Sequence, residues 1–355
     1  MNRVVDFFRS SDVKGGVQSV FEDLAEALPD TNVLSAFDVA KMSGYGMDVN
    51  AYNFFELEAS YMLDAYLKLY EKIFEPDFII KNSIVGTFYR PKPKHVCVLQ
   101  DNNVTGPNVI YKNSMYNIIS YLKFRRSYLY LQERTIKNSD VVVAVSKDIA
   151  KDYDRELGVK AKVIHNGIDT NMFRPMDKEK LRKKYNVPSD RPVGVSIQKY
   201  HPIKGGHIMT NLINTYPDIY WIIVFVQRFS HKKPVAKNVK LLYELDRKQM
   251  PEIYNMADFS LQPSACESFN LCSVEAMSCG IPAITNNTGF AADLGKVGRT
   301  NFGYVLDQWN EPIKYSNAIY SVLKDGKSFK PRNVVKDNFE KGEWVRKWRK
   351  LVKSL

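Results

Sequence analysis

Two glutamates, Glu267 and Glu275, stand with seven residues between them in the segment Pro263–Gly289, PSACESFNLCSVEAMSCGIPAITNNTG. Two lysines, Lys199 and Lys204, follow the apolar run Val193–Ile197. Carboxylates accept hydrogen bonds from hydroxyls, and lysines supply point charges for phosphate. The acidic segment is punctuated as loop, helix and turn, with Gly280 as a helix stop and Pro282 just beyond it. This predicts a helix over residues 268–279 with Glu267 near its start. Eight positions along a helix are roughly 12 Å. Two carboxylates working on one glycosidic bond in a retaining hydrolysis stand about 5–5.5 Å apart. The pair therefore suits two ends of one elongated ligand, with the N–H groups of Phe269, Asn270 and Leu271 facing an anion between them.

A nucleotide-sugar has that shape: sugar, diphosphate and ribose in a row. The Glu-x7-Glu pattern followed by Ala276-Met277 and Gly280-Ile281-Pro282 resembles the retaining glycosyltransferases of the glycosyltransferase 4 family. Other pieces lie in that family's order. Asn138–Ile149 (NSDVVVAVSKDI) is similar to the last strand and helix start of its first domain, and His165–Pro175 (HNGIDTNMFRP) to its interdomain connection. Val195–Gly206 (VSIQKYHPIKGG) resembles its phosphate-binding loop, and Lys14–Leu28 (KGGVQSVFEDLAEAL) its glycine-rich first turn. The resemblance implies an α/β protein of GT-B architecture. Two Rossmann-like domains with parallel sheets would face each other across a cleft that closes on the donor. A last helix would return to the first domain.

Length and charge fit that expectation. A chain of 355 residues is too long for one ordinary core. Residues 1–170 carry 21 lysines and arginines against 22 acids, and residues 171–355 carry 30 against 17. A basic second half suits a domain that holds a diphosphate, although most surface lysines are simply solvated. Cys97, Cys266, Cys272 and Cys279 show no C-x-x-C spacing, so they predict buried thiols in a reducing compartment rather than zinc. The first residues lack a signal-peptide pattern, and no run approaches 18 apolar residues.

Periodicity places the elements. Strands are expected at Arg3–Phe8, Phe78–Ile80, His95–Leu99, Val141–Val145 and Val163–Ile164. Helices are expected at Gly16–Leu28, Phe54–Phe74 and Tyr111–Ile136, with Ser146 capping another. In the second half, strands at Val193–Ile197, Tyr220–Val226, Val239–Leu242, Asp258–Gln262 and Ala283–Thr285 alternate with helices at Gly205–Tyr216, Arg247–Tyr254 and 268–279. Such alternation implies parallel sheets, with ligands beyond the carboxyl ends of the strands. The expected domains are residues 1–168, joined by about 340–355, and residues 169–339.

The resemblance then implies roles. Lys204 and Lys199 would stabilise the departing diphosphate, where charge develops as the bond to the sugar breaks. Glu267 would contact the donor sugar near the reacting carbon, and Glu275 would accept bonds from the ribose hydroxyls. Ser268, Phe269, Asn270 and Leu271 would border the donor, and Gly15 and Gly16 would let the first turn approach it. Gln100, Asp101 and Asn166 are candidates for the acceptor side or the hinge. Lys199 stands where the family carries an arginine, and three further departures matter. Gln100-Asp101 stands where a histidine is common, Ser268-Phe269-Asn270 replaces Gly-Phe-Gly, and Gly289–Asp293 (GFAAD) replaces Gly-Gly-x-Pro-Glu, so Phe290 and Asp293 are expected to reshape the sugar pocket. Asp152-Tyr153-Asp154 matches a metal-binding D-x-D, but its helical setting predicts a solvated face and no metal.

The expected activity is metal-independent transfer of a hexose-type sugar from a UDP- or GDP-sugar to a hydroxyl of a glycan, glycolipid or protein-linked glycan, with retention and without a cofactor. The expected location is cytoplasmic. Residues 78–132 hold 8 basic residues against 1 acid, which admits a peripheral contact with the anionic inner face of a membrane. The tail Glu343–Leu355 has one apolar face and is expected to pack within the molecule. A nucleotide-sugar epimerase or hydrolase of similar fold is the nearest alternative, and a basic nucleic-acid-binding protein a more distant one. The chain shows no aromatic-basic nucleic-acid module.

Overall fold

Parallel strands buried on both faces read as continuous Val/Ile/Leu runs, and such runs build both sheets of this protein. The computed structural model describes residues 3–4, 16–28, 64–65, 67–69, 71–72, 75–82, 87–100, 118–198, 202–225 and 236–355. The chain divides into two compact units, Met1–His165 with Trp344–Leu355, and Asn166–Glu343.

The first unit holds β1 (Arg3–Val4), β2 (Phe78–Asn82), β3 (Lys94–Leu99), β4 (Val141–Ala144) and β5 (Lys162–Val163). They lie side by side in that order, all parallel. The helix Gly16–Ala27 turns Val20, Phe21, Leu24 and Ala27 into the core at helical spacing. The Ser146 hydroxyl accepts from the Ile149 N–H at 3.1 Å and starts the helix Lys147–Leu157. The expected strand Arg3–Phe8 is seen at Arg3–Val4, with residues 5–8 outside the described residues. Of the stretch Tyr111–Ile136, the helix Ile118–Lys137 is described. Of Phe54–Phe74, the described residues 64–65, 67–69 and 71–72 are helical.

The final helix, Lys341–Lys353, buries Trp344, Trp348 and Leu351 on one stripe. The Arg349 Nε donates to the Ala27 carbonyl at 2.9 Å, tying this helix to the end of the Gly16–Ala27 helix.

The second unit contains β6 (Val193–Gln198), β7 (Tyr220–Phe225), β8 (Val239–Tyr243), β9 (Phe259–Gln262), β10 (Ala283–Asn286), β11 (Gly298–Arg299) and β12 (Gly303–Leu306). Their order across the sheet is β11-β12-β10-β9-β6-β7-β8, with only β11 antiparallel among the described pairings. The chain winds outward from β6 to β7 and β8, then returns to place β9 on the other side of β6. This is a topological switch point, where the connections beyond two neighbouring strands leave in opposite directions and open a crevice. Trp221 meets Phe259 edge-on at 5.5 Å in the core, beside Ile223, Leu261 and Ile284.

One helix differs from expectation in a way that affects the site. It runs Leu271–Ser278, not 268–279. Asn270 adopts φ +72°, and its side chain caps the helix by accepting from the Ser273 N–H at 3.3 Å. Phe269 packs inward against Phe290 and Phe339, so Ser268 and Phe269 belong to the loop. Glu267 is therefore a loop residue rather than a first-turn carboxylate, and helical rise does not set its separation from Glu275.

Candidate active site

The switch point brings the loops after β6 and β9 together. After β6, a 3-10 turn at Pro202–Lys204 leads into Gly205, which has φ +73°. A Cβ there would lie 2.2 Å from the Pro263 carbonyl oxygen, so only glycine permits this approach. The Ala265 N–H donates to the Ile203 carbonyl at 2.7 Å and pins the loops to each other. The Lys204 ammonium consequently meets the Glu267 carboxylate, Nζ to Oε1, at 2.8 Å. Burial works against the lysine charge. The neighbouring Glu267 carboxylate and its hydrogen bond outweigh burial and hold the Lys204 pKa above the ordinary lysine value.

A third loop, after β10, braces the second. The Thr288 hydroxyl accepts from the Glu267 N–H at 2.9 Å and donates to the Glu267 carbonyl at 3.2 Å. The Phe290 N–H donates to the Phe269 carbonyl at 3.1 Å. Gly289, at φ +57°, has no room for a Cβ against that same carbonyl. Asn286 closes β10, its amide donating to the Ser264 carbonyl at 2.6 Å while its oxygen accepts from the Tyr315 hydroxyl at 2.9 Å. The backbone beside Glu267 is thus fixed from both sides. The helix beginning at Leu271 does not itself use the N–H groups of Asn270, Leu271 and Cys272, and it presents its positive end here.

Glu275 lies on that helix and is buried, not solvent-facing. Its Oε2 accepts from the Tyr254 hydroxyl at 2.9 Å, and its Oε1 stands 3.6 Å from the Arg247 Nε. Arg247 lies 5.6 Å over the Phe173 ring. Burial, reinforced by Glu275, pushes the Tyr254 phenol well above its usual range, so it stays protonated and donates. Burial, with Glu275 and Glu267 nearby, raises the Cys272 thiol to about 12, and burial also raises Cys279. These are packing thiols, as their sequence suggested.

Sequence reasoning passed over Arg247 and Tyr254. Arg247 follows Asp246, whose side chain caps the short turn Arg247–Gln249, and from sequence it resembles any charged residue opening a helix. The expected helix Arg247–Tyr254 is this 3-10 turn followed by a helix at Met250–Asn255.

The remaining expected residues divide by unit. Gly16 opens an exposed helix start and Gln100 is buried just beyond β3, both in the first unit. Asn166 is buried in the second unit, and Ser268 is half-buried beside Glu267. Lys199, Gly15 and Asp101 lie outside the described residues. Phe290, expected to shape a sugar pocket, is fully buried and packs against Phe269, Phe302 and Phe339. Asp293 is half-buried at the end of the short helix Phe290–Asp293. The D-x-D is less solvated than its pattern suggested. Tyr153 and Asp152 are buried, Asp152 pairs with Arg155 at 2.7 Å, and Asp154 pairs with Lys160.

Known proteins place these features in context. A model described as Glycosyltransferase Family 4 matches residues 14–172, and one described as Glycosyl transferases group 1 matches residues 177–341. The chain is 24% identical over 211 residues to D-inositol 3-phosphate glycosyltransferase 2 of Catenulispora acidiphila, covering 54% of this chain and 48% of that protein. It is 24% identical over 200 residues to a D-inositol 3-phosphate glycosyltransferase of Mycobacterium leprae, covering 51% and 47%. The chain thus spans about half the length of the curated relatives it matches. Among solved structures, sucrose-phosphate synthase from Thermosynechococcus elongatus superposes with a TM-score of 0.80 at 15% identity, covering 100% of this chain and 99% of that one. Anabaena Alr3699/HepE in complex with UDP-glucose gives 0.75 at 20% identity, covering 99% and 100%. At these identities the structural likeness speaks to fold. The two tandem models between them account for nearly the whole sequence, and the chain belongs to the family 4, group 1 glycosyltransferases with their two-domain GT-B fold.

Proposed function

We propose that the protein transfers a hexose-type sugar from a UDP- or GDP-sugar to a hydroxyl of a carbohydrate, glycolipid or protein-linked glycan, with retention of the anomeric configuration. The observation that carries this reading is the meeting of Lys204 and Glu267 at the switch point of the second unit, 2.8 Å apart and 63 positions apart in sequence. The UDP-glucose complex of Alr3699/HepE, a protein of the same fold, supports a uridine donor.

Lys204, with Lys199, neutralises the diphosphate as the bond from the anomeric carbon to the phosphate oxygen breaks. The helix end at Leu271 adds positive potential to the same place. Charge supplied by side chains and backbone does here what a divalent cation does elsewhere, so the proposed reaction takes no metal. Glu267 holds the sugar hydroxyls. The acceptor oxygen bonds to the anomeric carbon on the face the phosphate leaves, and the departing phosphate oxygen takes the acceptor's proton. Gly16, Gly15, Gln100, Asp101 and Asn166 stay as proposed neighbours of donor or acceptor. A peripheral contact with an anionic membrane is supported by Leu122, Arg126 and Tyr130, which recur every four residues as exposed side chains on the helix Ile118–Lys137. The free thiols support a cytoplasmic location.

The test is a panel of UDP-, GDP- and ADP-sugars with simple glycoside acceptors, followed by proton NMR of the new anomeric centre. One donor should be consumed, its product keeping the donor's configuration. Inversion would overturn the mechanism, and consumption with no acceptor dependence would favour a hydrolase.

A further inference from the structure

The ribose role that the family resemblance gives Glu275 does not say how its buried carboxylate is held. A buried carboxylate is costly unless its charge and lone pairs are met, and two residues outside any motif meet it. We propose that Tyr254 and Arg247 are positioning residues that hold the Glu275 carboxylate in a fixed plane to receive the two adjacent hydroxyls of the donor's ribose. The inference rests on the donor-site reading above.

The geometry is specific. Tyr254 is buried, and its hydroxyl donates to one carboxylate oxygen at 2.9 Å. Arg247 stands 3.6 Å from the other oxygen. Tyr254 fixes one oxygen by a directional hydrogen bond and Arg247 attracts the other as an ion pair beyond hydrogen-bond distance, so turning the carboxylate breaks the first contact and lengthens the second. A carboxylate oxygen has two acceptor directions, so one bond from Tyr254 does not exhaust Oε2. Two oxygens in a fixed plane match a cis-diol, which carries two hydroxyl donors side by side.

Arg247 is itself held, because its guanidinium lies 5.6 Å over Phe173. The Phe173 ring is tilted against Tyr254 at 6.2 Å. Phe173 belongs to the His165–Pro175 segment, so that motif gains a part in the donor site: it seats the arginine that steadies Glu275. The phenol raised by burial fits the same arrangement, since a tyrosine that stays protonated can only donate to the carboxylate.

The test is calorimetric titration of UDP, GDP and ADP, each beside its 2′-deoxy and 3′-deoxy form. The proteins are the wild type, Tyr254→Phe, Arg247→Lys and Glu275→Ala. The wild type should prefer the ribonucleotide by about tenfold, the scale of one hydrogen bond to a charged group. Tyr254→Phe and Arg247→Lys should weaken the ribonucleotide by about the same factor and leave the deoxy forms unchanged, so the preference collapses. Turnover should show a raised donor KM with kcat nearly kept. Arg247→Lys keeps the charge but loses the planar fork, and it carries the test alone if Tyr254→Phe does not fold. An intact ribose preference in the folded variants, with Glu275→Ala losing it, would overturn the inference and leave the donor site standing. No ribose preference in the wild type would overturn it together with the ribose role of Glu275, but not the diphosphate role of Lys204. No binding of any nucleotide to the wild type would overturn both the inference and the donor-site reading.

Discussion

Glu267 and Glu275 are the same residue type eight positions apart, yet their surroundings differ in kind. Glu267 sits in a loop, half-buried, and its partner is the ammonium of Lys204. Glu275 sits on a helix, buried, and its partners are the phenol of Tyr254 and the guanidinium of Arg247, both packed against the Phe173 ring. On the proposed reading, an incoming diphosphate recruits Lys204 from the first carboxylate, while Tyr254 and Arg247 keep the second in place.

The variants that break this contrast most strongly act on the Glu267 end. Glu267→Gln keeps the shape and removes the charge, and turnover should fall by about 10²–10³-fold, the scale seen when one transition-state contact is lost. Nucleoside diphosphate should bind at least as tightly as before, because Lys204 is released from its ion pair. Steady-state kinetics together with calorimetry check both halves, and parallel losses in turnover and affinity would contradict the exchange. Glu275→Ala should behave in the opposite manner, raising donor KM by about 10–100-fold with a smaller change in kcat.

Gly205→Ala sharpens the contrast from another side. It forces the β6 loop away from Pro263, at a left-handed position that costs a side chain about 1–2 kcal/mol before the clash is counted. Thermal unfolding should show the loss of stability. Activity should fall as it does in Glu267→Gln, because Lys204 and Glu267 are separated, while the ribose preference set at Glu275 persists.

The smallest effect concerns pH. Lys204 has its folded pKa raised, so its ion pair is fully present below the ordinary lysine value of 10.5 and is lost only above its raised value. Nucleotide affinity measured between about pH 7.5 and 8.5 should therefore be flat, since this window lies well below both lysine values and below the ionisation of the nucleobases. A decline within it would mean that Lys204 loses its proton earlier than its pairing allows.

Much of this fold is legible in the sequence, because alternating apolar runs and helical stripes are local signals. The strands β6 to β10 fall within a residue or so of expectation. The Ser146 cap is also where its type predicts. The Glu-x7-Glu segment and the lysine loop, singled out separately in the sequence, meet in the structure through Lys204 and Glu267. What the sequence hid depends on register and close approach. The helix starts at Leu271 because Phe269 is drawn into a phenylalanine cluster completed by residues 290, 302 and 339. Glu275 is buried because a tyrosine 21 positions earlier reaches it. Gly205 matters through a proline carbonyl on a neighbouring loop. None of these has a short-range signature.

On the proposed reading, the switch point of the second unit binds a nucleoside diphosphate through Lys204. Titration of UDP, GDP and ADP into the wild type and into Lys204→Ala, with melting temperature as the control for folding, tests it. One nucleotide should bind the wild type and lose about tenfold or more in the folded variant, the expected cost of removing a charge-assisted contact to phosphate. Equal affinity in both proteins would contradict the account and move the diphosphate elsewhere.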